Sequence, residues 1–131
     1  MVNVKYRIDK DALMLRKIFS RRKHPRFHAR QKTYLVIQPY TPSEQKVQIL
    51  DISDGGCGFI YTGDEKDLEE AGLVSLMSDS VPYIERINFS TVNDQPVSGP
   101  FRRRGVEFKW LGSMDKKKLK KFIQDVSLAK C

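Results

Sequence analysis

Residues 21–27, RRKHPRF, gather side chains that can bind an anion directly ahead of the first β-type run. Arg22 and Arg26 are four positions apart. Pro25 fixes its own φ and disfavours helix at His24, so we predict an arm rather than a helix. A guanidinium can bind a phosphate through two parallel hydrogen bonds and can also stack on an aromatic ring. Two arginines on a semi-rigid arm can therefore hold a ligand that is both anionic and aromatic.

The stretch DISDGGCGF, residues 51–59, joins the end of one predicted strand to the start of the next. Its acceptors and hydroxyl come from Asp51, Ser53 and Asp54. A carboxylate can accept two N–H bonds from the Watson–Crick edge of guanine. Gly55 and Gly56 permit positive φ and let a ligand approach the backbone closely. On its own, this stretch is most simply interpreted as a tight turn held by Asx-type hydrogen bonds.

Short β-rich runs separated by turn signals predict an antiparallel barrel or sandwich around these two stretches. Residues 32–40 and 46–53 flank Thr41-Pro42-Ser43 and predict a hairpin. Further strands are predicted at 57–63, 72–78, 83–91 and 101–111. The acidic residues 64–70 are predicted to form a loop or one helical turn, and residues 92–100, VNDQPVSGP, are predicted to form a long connection.

The hydrophobic period changes near the C-terminus. Apolar residues recur there at i, i+3, i+4 and i+7, namely Leu119, Phe122, Ile123 and Val126. This pattern predicts an amphipathic helix over residues 114–129 with Ser113 as its N-cap. Its lysines are expected to form the solvated face. Residues 1–20 are predicted to be an N-terminal extension, helical or mobile, ahead of one domain over residues 21–131.

Charge is segregated along the chain, whose formal net charge is +8. Residues 1–32 hold eleven Lys and Arg against two Asp, residues 33–101 hold three against eleven acids, and residues 102–131 hold ten against three. Basic clusters keep phosphate-backbone binding open. Because consecutive strand residues cannot share a face, at least one of Arg102, Arg103 and Arg104 points away from the others. These arginines extend a ligand site, meet an acidic surface of a partner or form a solvated strand edge.

The composition excludes several classes of protein. A chain of 131 residues suits one domain with one core. Its first 20 residues carry seven charges and no later apolar run reaches the length of a membrane span, so we expect a cytoplasmic protein without membrane insertion. Cys57 and Cys131 are 74 positions apart and fit neither a zinc site nor a disulfide framework, so we expect reduced thiols.

Taken together, the two stretches resemble the two-part signature of the PilZ domain, a bacterial receptor module for the second messenger cyclic di-GMP. Arg22-x-x-x-Arg26 precedes Asp51-x-Ser53-x-x-Gly56, with 24 residues between them that suit a hairpin. Residues 105–108, GVEF, resemble the last barrel strand of that family. The resemblance covers about residues 21–125 and implies a six-stranded antiparallel β-barrel with a C-terminal helix.

The resemblance also implies roles for individual residues. Arg22 and Arg26 would bind phosphate and stack on guanine, Asp51 and Ser53 would hold a guanine edge, and Gly56 would keep the turn open. The neighbouring Arg21 and Gly55 complete the predicted ligand-binding set. The implied protein is a non-enzymatic receptor with no further cofactor, which relays binding to a partner protein by ordering its N-terminal arm.

The sequence gives less support to other functions. No catalytic motif is present, and His24 and His28, separated by Pro25, lack the companions of a metal site. One alternative is a nucleic-acid-binding barrel that uses the basic arm and Arg102–Arg104. The carboxylate of Asp51 counts against it, because a carboxylate repels a phosphate backbone. The other is a PilZ-like scaffold that does not bind nucleotide, against which the intact signature counts.

Overall fold

Alternating apolar and polar residues place one face of each strand inside a closed barrel. The computed structural model describes residues 24–131. The strands are β1 (Phe27–Ala29), β2 (Thr33–Ile37), β3 (Gln45–Ser53), β4 (Gly56–Thr62), β5 (Ala71–Ser78), β6 (Val81–Ser98), β7 (Phe101–Lys109) and β8 (Ser127–Lys130). A 3₁₀ turn covers Glu65–Asp67, and helix α1 covers Ser113–Val126. The predicted extension, residues 1–20, lies outside the described residues.

Six antiparallel strands close the barrel in the order β2, β5, β6, β7, β4, β3 and back to β2. Strand β1 adds to β3 outside this ring, and β8 adds to β1. The predicted β-barrel with a C-terminal helix is therefore confirmed, and the predicted hairpin is formed by β2 and β3. Among residues 24–131, no helix combines the length and the apolar character that crossing a membrane would require.

The core fills the barrel and is covered at one side by α1. Its most completely buried apolar side chains include Leu35, Ile52, Phe59, Val74 and Leu76. The stripe predicted for the helix is buried in full, and the rings of Tyr83 and Phe122 meet edge to face with centroids 5.0 Å apart. Burial of each such side chain stabilises the fold by roughly 1.5–3 kcal/mol, so the stripe fixes α1 against the barrel.

The ends of the helix differ from the prediction. Gly112 is the N-cap, without a side-chain hydrogen bond, and Ser113 is already helical. The helix ends at Val126 rather than at residue 129, and the next four residues pair with β1 as strand β8. Ser127 closes the helix by donating from both its backbone N–H and its hydroxyl to the carbonyl of Ile123. The strand pairing with β1 is a long-range contact, and the local helical pattern does not contain it.

The predicted long connection at residues 92–100 is wrong, because β6 continues through it as far as Ser98. Its last pair with β5 is Ala71 with Ser90, so the remainder of β6 borders only β7. Pro96, which has no N–H to donate, is tolerated where one side of a strand lacks a neighbour. Gly99, with φ +55°, then makes the tight turn into β7.

Candidate functional site

A groove of about 1040 Å³ crosses the outer face of β3, β4, β7 and β6. Its floor is a row of directly opposed residues, in which Asp51 faces Gly58, Gly58 faces Gly105 and Gly105 faces Asn93. A Cβ on Gly105 would lie 3.1 Å from Nδ2 of Asn93. The two central glycines therefore make the middle of the floor bare backbone, over which polar side chains of the outer strands extend.

An ion pair lies across this floor. Arg103 Nη2 donates to Asp51 Oδ2 at 2.6 Å, reaching from β7 over β4 to β3. A Cβ on Gly58 would lie 2.8 Å from that guanidinium nitrogen and 3.1 Å from Asp51 Oδ1. The absence of a side chain at Gly58 is therefore what lets the pair form. Arg103 thus gives the buried carboxylate of Asp51 a charge-assisted hydrogen bond, which is stronger than a bond between neutral groups.

The turn after Asp51 is held by its own hydrogen bonds. Ser53 Oγ accepts from the Gly55 N–H at 3.1 Å and donates to the Gly56 carbonyl at 3.4 Å. Gly55 and Gly56 permit positive φ, but neither adopts it. A Cβ on Gly56 would lie 2.0 Å from the Val106 carbonyl oxygen. The close approach of β4 to β7 thus requires glycine at position 56.

The arm meets this turn at its described end. Residues 24–26 are non-helical, as Pro25 predicted. The His24 ring lies over Gly55, where a Cβ would be 2.9 Å from its Cδ2. Arg26 lines the groove together with Asp51 and Ser53. The two predicted motifs therefore converge through Arg26, while Arg21 and Arg22 lie outside the described residues.

The three consecutive arginines of β7 divide between two environments. Arg103 belongs to the groove, whereas Arg102 and Arg104 both bond to Asp94 through Nε at 2.7 Å. Arg104 is 1% exposed and also donates to the carbonyls of Glu65 and Glu69 at 2.9 and 2.8 Å. The interpretation as a solvated strand edge is wrong, because β7 lies between β4 and β6.

Asp94 is the centre of this buried cluster. Burial disfavours its ionised form, but hydrogen bonds from Tyr61, Arg104 and Arg102 outweigh that effect and hold the pKa of the carboxyl below its ordinary value. The cluster satisfies two of the arginines that the nucleic-acid alternative invoked. It also fixes the part of β6 that carries Asn93 and Gln95 along the edge of the groove.

Cys57 lies behind the floor, in the core. Burial, together with the nearby negative charge of Asp51, raises the pKa of its thiol far above the ordinary value. A thiol kept protonated and buried is a poor nucleophile, and Cys57 contributes to the packing of the core.

Sequence reasoning missed part of the groove. Its lining also includes Asn93, Gln95, Trp110, Lys116 and Lys120. Asn93 and Gln95 lie in the stretch whose composition predicts a connection, and the two lysines belong to the face of the helix that is predicted to be solvated. Trp110 carried one available signal, since it is the single tryptophan and directly follows the last barrel strand.

No model of a known protein family matches the sequence, and no curated protein resembles it significantly. Solved structures do match its fold. The K. pneumonia MrkH–c-di-GMP complex aligns with a TM-score of 0.65 at 23% identity, covering 81% of this chain and 52% of that one. The PilZ domain of YcgR from Escherichia coli with c-di-GMP aligns with a TM-score of 0.62 at 16% identity, covering 82% and 92%.

A third match is the Borreliella burgdorferi PlzA protein in complex with c-di-GMP, with a TM-score of 0.51 at 14% identity, covering 74% of this chain and 45% of that one. The chain thus spans about half of MrkH and most of the isolated YcgR domain. At these identities the likeness is evidence for the fold. The described residues share the fold of the YcgR PilZ domain.

Proposed function

We propose that this protein is a non-enzymatic cytoplasmic receptor for cyclic di-GMP. The observation that carries the proposal is the convergence of Arg26 with Asp51 and Ser53 in one groove, although the two motifs are separated in sequence. The MrkH, YcgR and PlzA structures, which share the fold, contain c-di-GMP, and this supports the same ligand class here.

The chemistry of the groove suits a ligand with two phosphates and two guanines. Arg26, with Arg22 and Arg21 from the arm, would bind phosphate and stack on a base. Asp51 would accept from a guanine edge. Its carboxylate offers about four acceptor positions, so the bond to Arg103 leaves capacity for the base. Ser53 and the backbone of Gly55 and Gly56 would border the same base.

We further propose that binding is relayed to a partner protein through the arm. Arg26 immediately precedes β1, which pairs with β3 at Asp51 and Ile52. The Arg26 carbonyl accepts from the Cys131 N–H at 2.8 Å, so the arm and the C-terminus are joined at this residue. A ligand held by Arg22 and Arg26 would order the arm ahead of β1 at the barrel rim. Amide exchange of residues 18–26 should slow on ligand binding, whereas the paired strand β1 should change little, and equal protection of the arm with and without ligand would contradict this relay.

Calorimetry tests the ligand assignment. The wild-type chain is titrated with cyclic di-GMP and, across several salt concentrations, with single-stranded oligonucleotides. Arg26→Ala should lose at least about tenfold in cyclic di-GMP affinity, because a charge-assisted bond contributes roughly 1.5–3 kcal/mol. The matched control is Arg86→Ala, which removes the same charge from an exposed residue outside the groove. Equal affinity of both variants, or tighter binding of oligonucleotide than of cyclic di-GMP, would overturn the assignment.

A further inference from the structure

Trp110 is placed in a way that folding alone does not require. It is 84% exposed, the highest value among the large apolar residues of the described chain. Its φ of +56° lies in the left-handed region, which residues other than glycine rarely adopt. Its neighbour Leu111 packs against the core, so the backbone is anchored while the indole remains on the rim of the groove. Strained backbone conformations of this kind concentrate at functional sites.

Two lysines of α1 stand on the same side of the groove. Lys116 and Lys120 are four positions apart, so they share a helix face, and both are exposed and line the groove. Neither forms an ion pair with any residue from 24 to 131, whereas Lys121 of the same helix pairs with Asp125 at 3.2 Å. Lys117 and Lys118, on the same helix, do not line the groove.

The residues assigned above account for only part of the proposed ligand. Asp51 can read one guanine edge, yet cyclic di-GMP carries two guanines and two phosphates. The bare floor formed by Gly58 and Gly105 leads from Asp51 toward Asn93, and the groove continues to the start of α1. Arg103 lies over Gly58 and Asn93 lies over Gly105, so a planar base would stack on the Arg103 guanidinium that crosses the floor.

We propose that Trp110, Lys116 and Lys120, hereafter the helix-side wall, form a second base-and-phosphate subsite. Trp110 stacks on a guanine that Asp51 does not hold, and the two lysines bind the adjoining phosphate. This inference rests on the proposed function, since it deepens the same cyclic di-GMP site.

Intrinsic fluorescence tests the wall directly, because Trp110 is the only tryptophan of the chain. Titration of the full chain with cyclic di-GMP should change the Trp110 emission with the same midpoint as the calorimetric isotherm. Trp110→Ala should weaken binding by about 5- to 150-fold, the range expected for loss of one base stack. Trp110→Phe should recover part of that loss, since it restores an aromatic face.

The lysines are tested by two variants with equal charge. Lys116→Ala/Lys120→Ala and Lys117→Ala/Lys118→Ala each remove two positive charges from α1, but only the first pair lines the groove. The first should lose affinity and the second should stay close to wild type. If calorimetry detects cyclic di-GMP binding while Trp110 emission stays constant and Trp110→Ala binds normally, the wall is wrong and the proposed function survives. If the wild-type chain does not bind cyclic di-GMP, both proposals fall together.

Discussion

Replacing Asp94 by alanine should destabilise the fold far more than its position in a polar, proline-containing stretch suggests. Asp94 accepts from Arg102 and Arg104 at 2.7 Å and from the hydroxyl of Tyr61. Arg104 has almost no access to water, so Asp94→Ala would leave a buried guanidinium without its counter-ion. The two hydrogen bonds from Arg104 to backbone carbonyls would remain, but neither carbonyl supplies a negative charge.

The expected loss is about 3–5 kcal/mol in the free energy of unfolding, the cost of removing one partner of a buried ion pair. A domain of this size has only about 5–15 kcal/mol in total, so urea denaturation should show a clearly lower midpoint. Glu107→Ala is the matched control, because Glu107 pairs with Lys109 at 3.3 Å on the surface. Its loss should be roughly 0–1 kcal/mol. A loss below about 1 kcal/mol for Asp94→Ala would refute the reasoning that burial makes this cluster essential.

The same cluster predicts a pH dependence. Because the pKa of Asp94 is lowered in the folded state, its ionisation adds stability above the unfolded pKa, about 3.9, and that stability is lost as pH falls through the folded pKa. The stability difference between wild type and Asp94→Asn should therefore be full at neutral pH and narrow below about pH 4. A difference that stays constant down to pH 2 would contradict this assignment.

Three further outcomes are expected. Gly58→Ala should displace Arg103 from Asp51 and weaken the binding of cyclic di-GMP in calorimetry. Gly112→Ala, whose Cβ meets nothing within 4 Å, should bind normally. Equal affinities of the two variants would show that the ion pair is not part of the site. Asp51→Ala should lose preference for cyclic di-GMP over cyclic di-AMP, and the exposed Asp54→Ala in the same turn should keep it; an unchanged preference in Asp51→Ala would exclude Asp51 as the guanine reader. A thiol reagent at pH 8 should modify one cysteine of the native chain, the exposed Cys131, and both in denaturant; rapid reaction of both in the native chain would show that Cys57 is accessible.

The sequence predicted those elements whose evidence is local. The i, i+3, i+4 and i+7 stripe predicted α1, and the β-rich runs predicted an antiparallel barrel or sandwich, whereas the six-stranded barrel was implied by the resemblance. The resemblance implied that Arg26 and Asp51 belong to one site, and both residues line the groove.

What the sequence did not predict depends on contacts between distant strands. Residues 92–98 have the composition of a loop, and only the pairing with β7 and the neutralisation of Asp94 by two arginines make them a strand. That Arg102 and Arg104 contact Asp94 while Arg103 faces the groove depends on the register between β6 and β7. The reason for Gly56 lies in the carbonyl of Val106, and the helix ends early because residues 127–130 pair with β1.

The central claim is that the groove on the outer face of β3, β4, β7 and β6 binds cyclic di-GMP, and an amide chemical-shift titration of the full chain tests it most directly. The largest shifts should fall on residues 51–58, on Asn93 and Gly105 of the floor, and on the indole of Trp110. The β2–β3 turn at residues 41–44, at the other end of β3, should not shift. Shifts that cluster at that turn, or none at saturating ligand, would contradict the account.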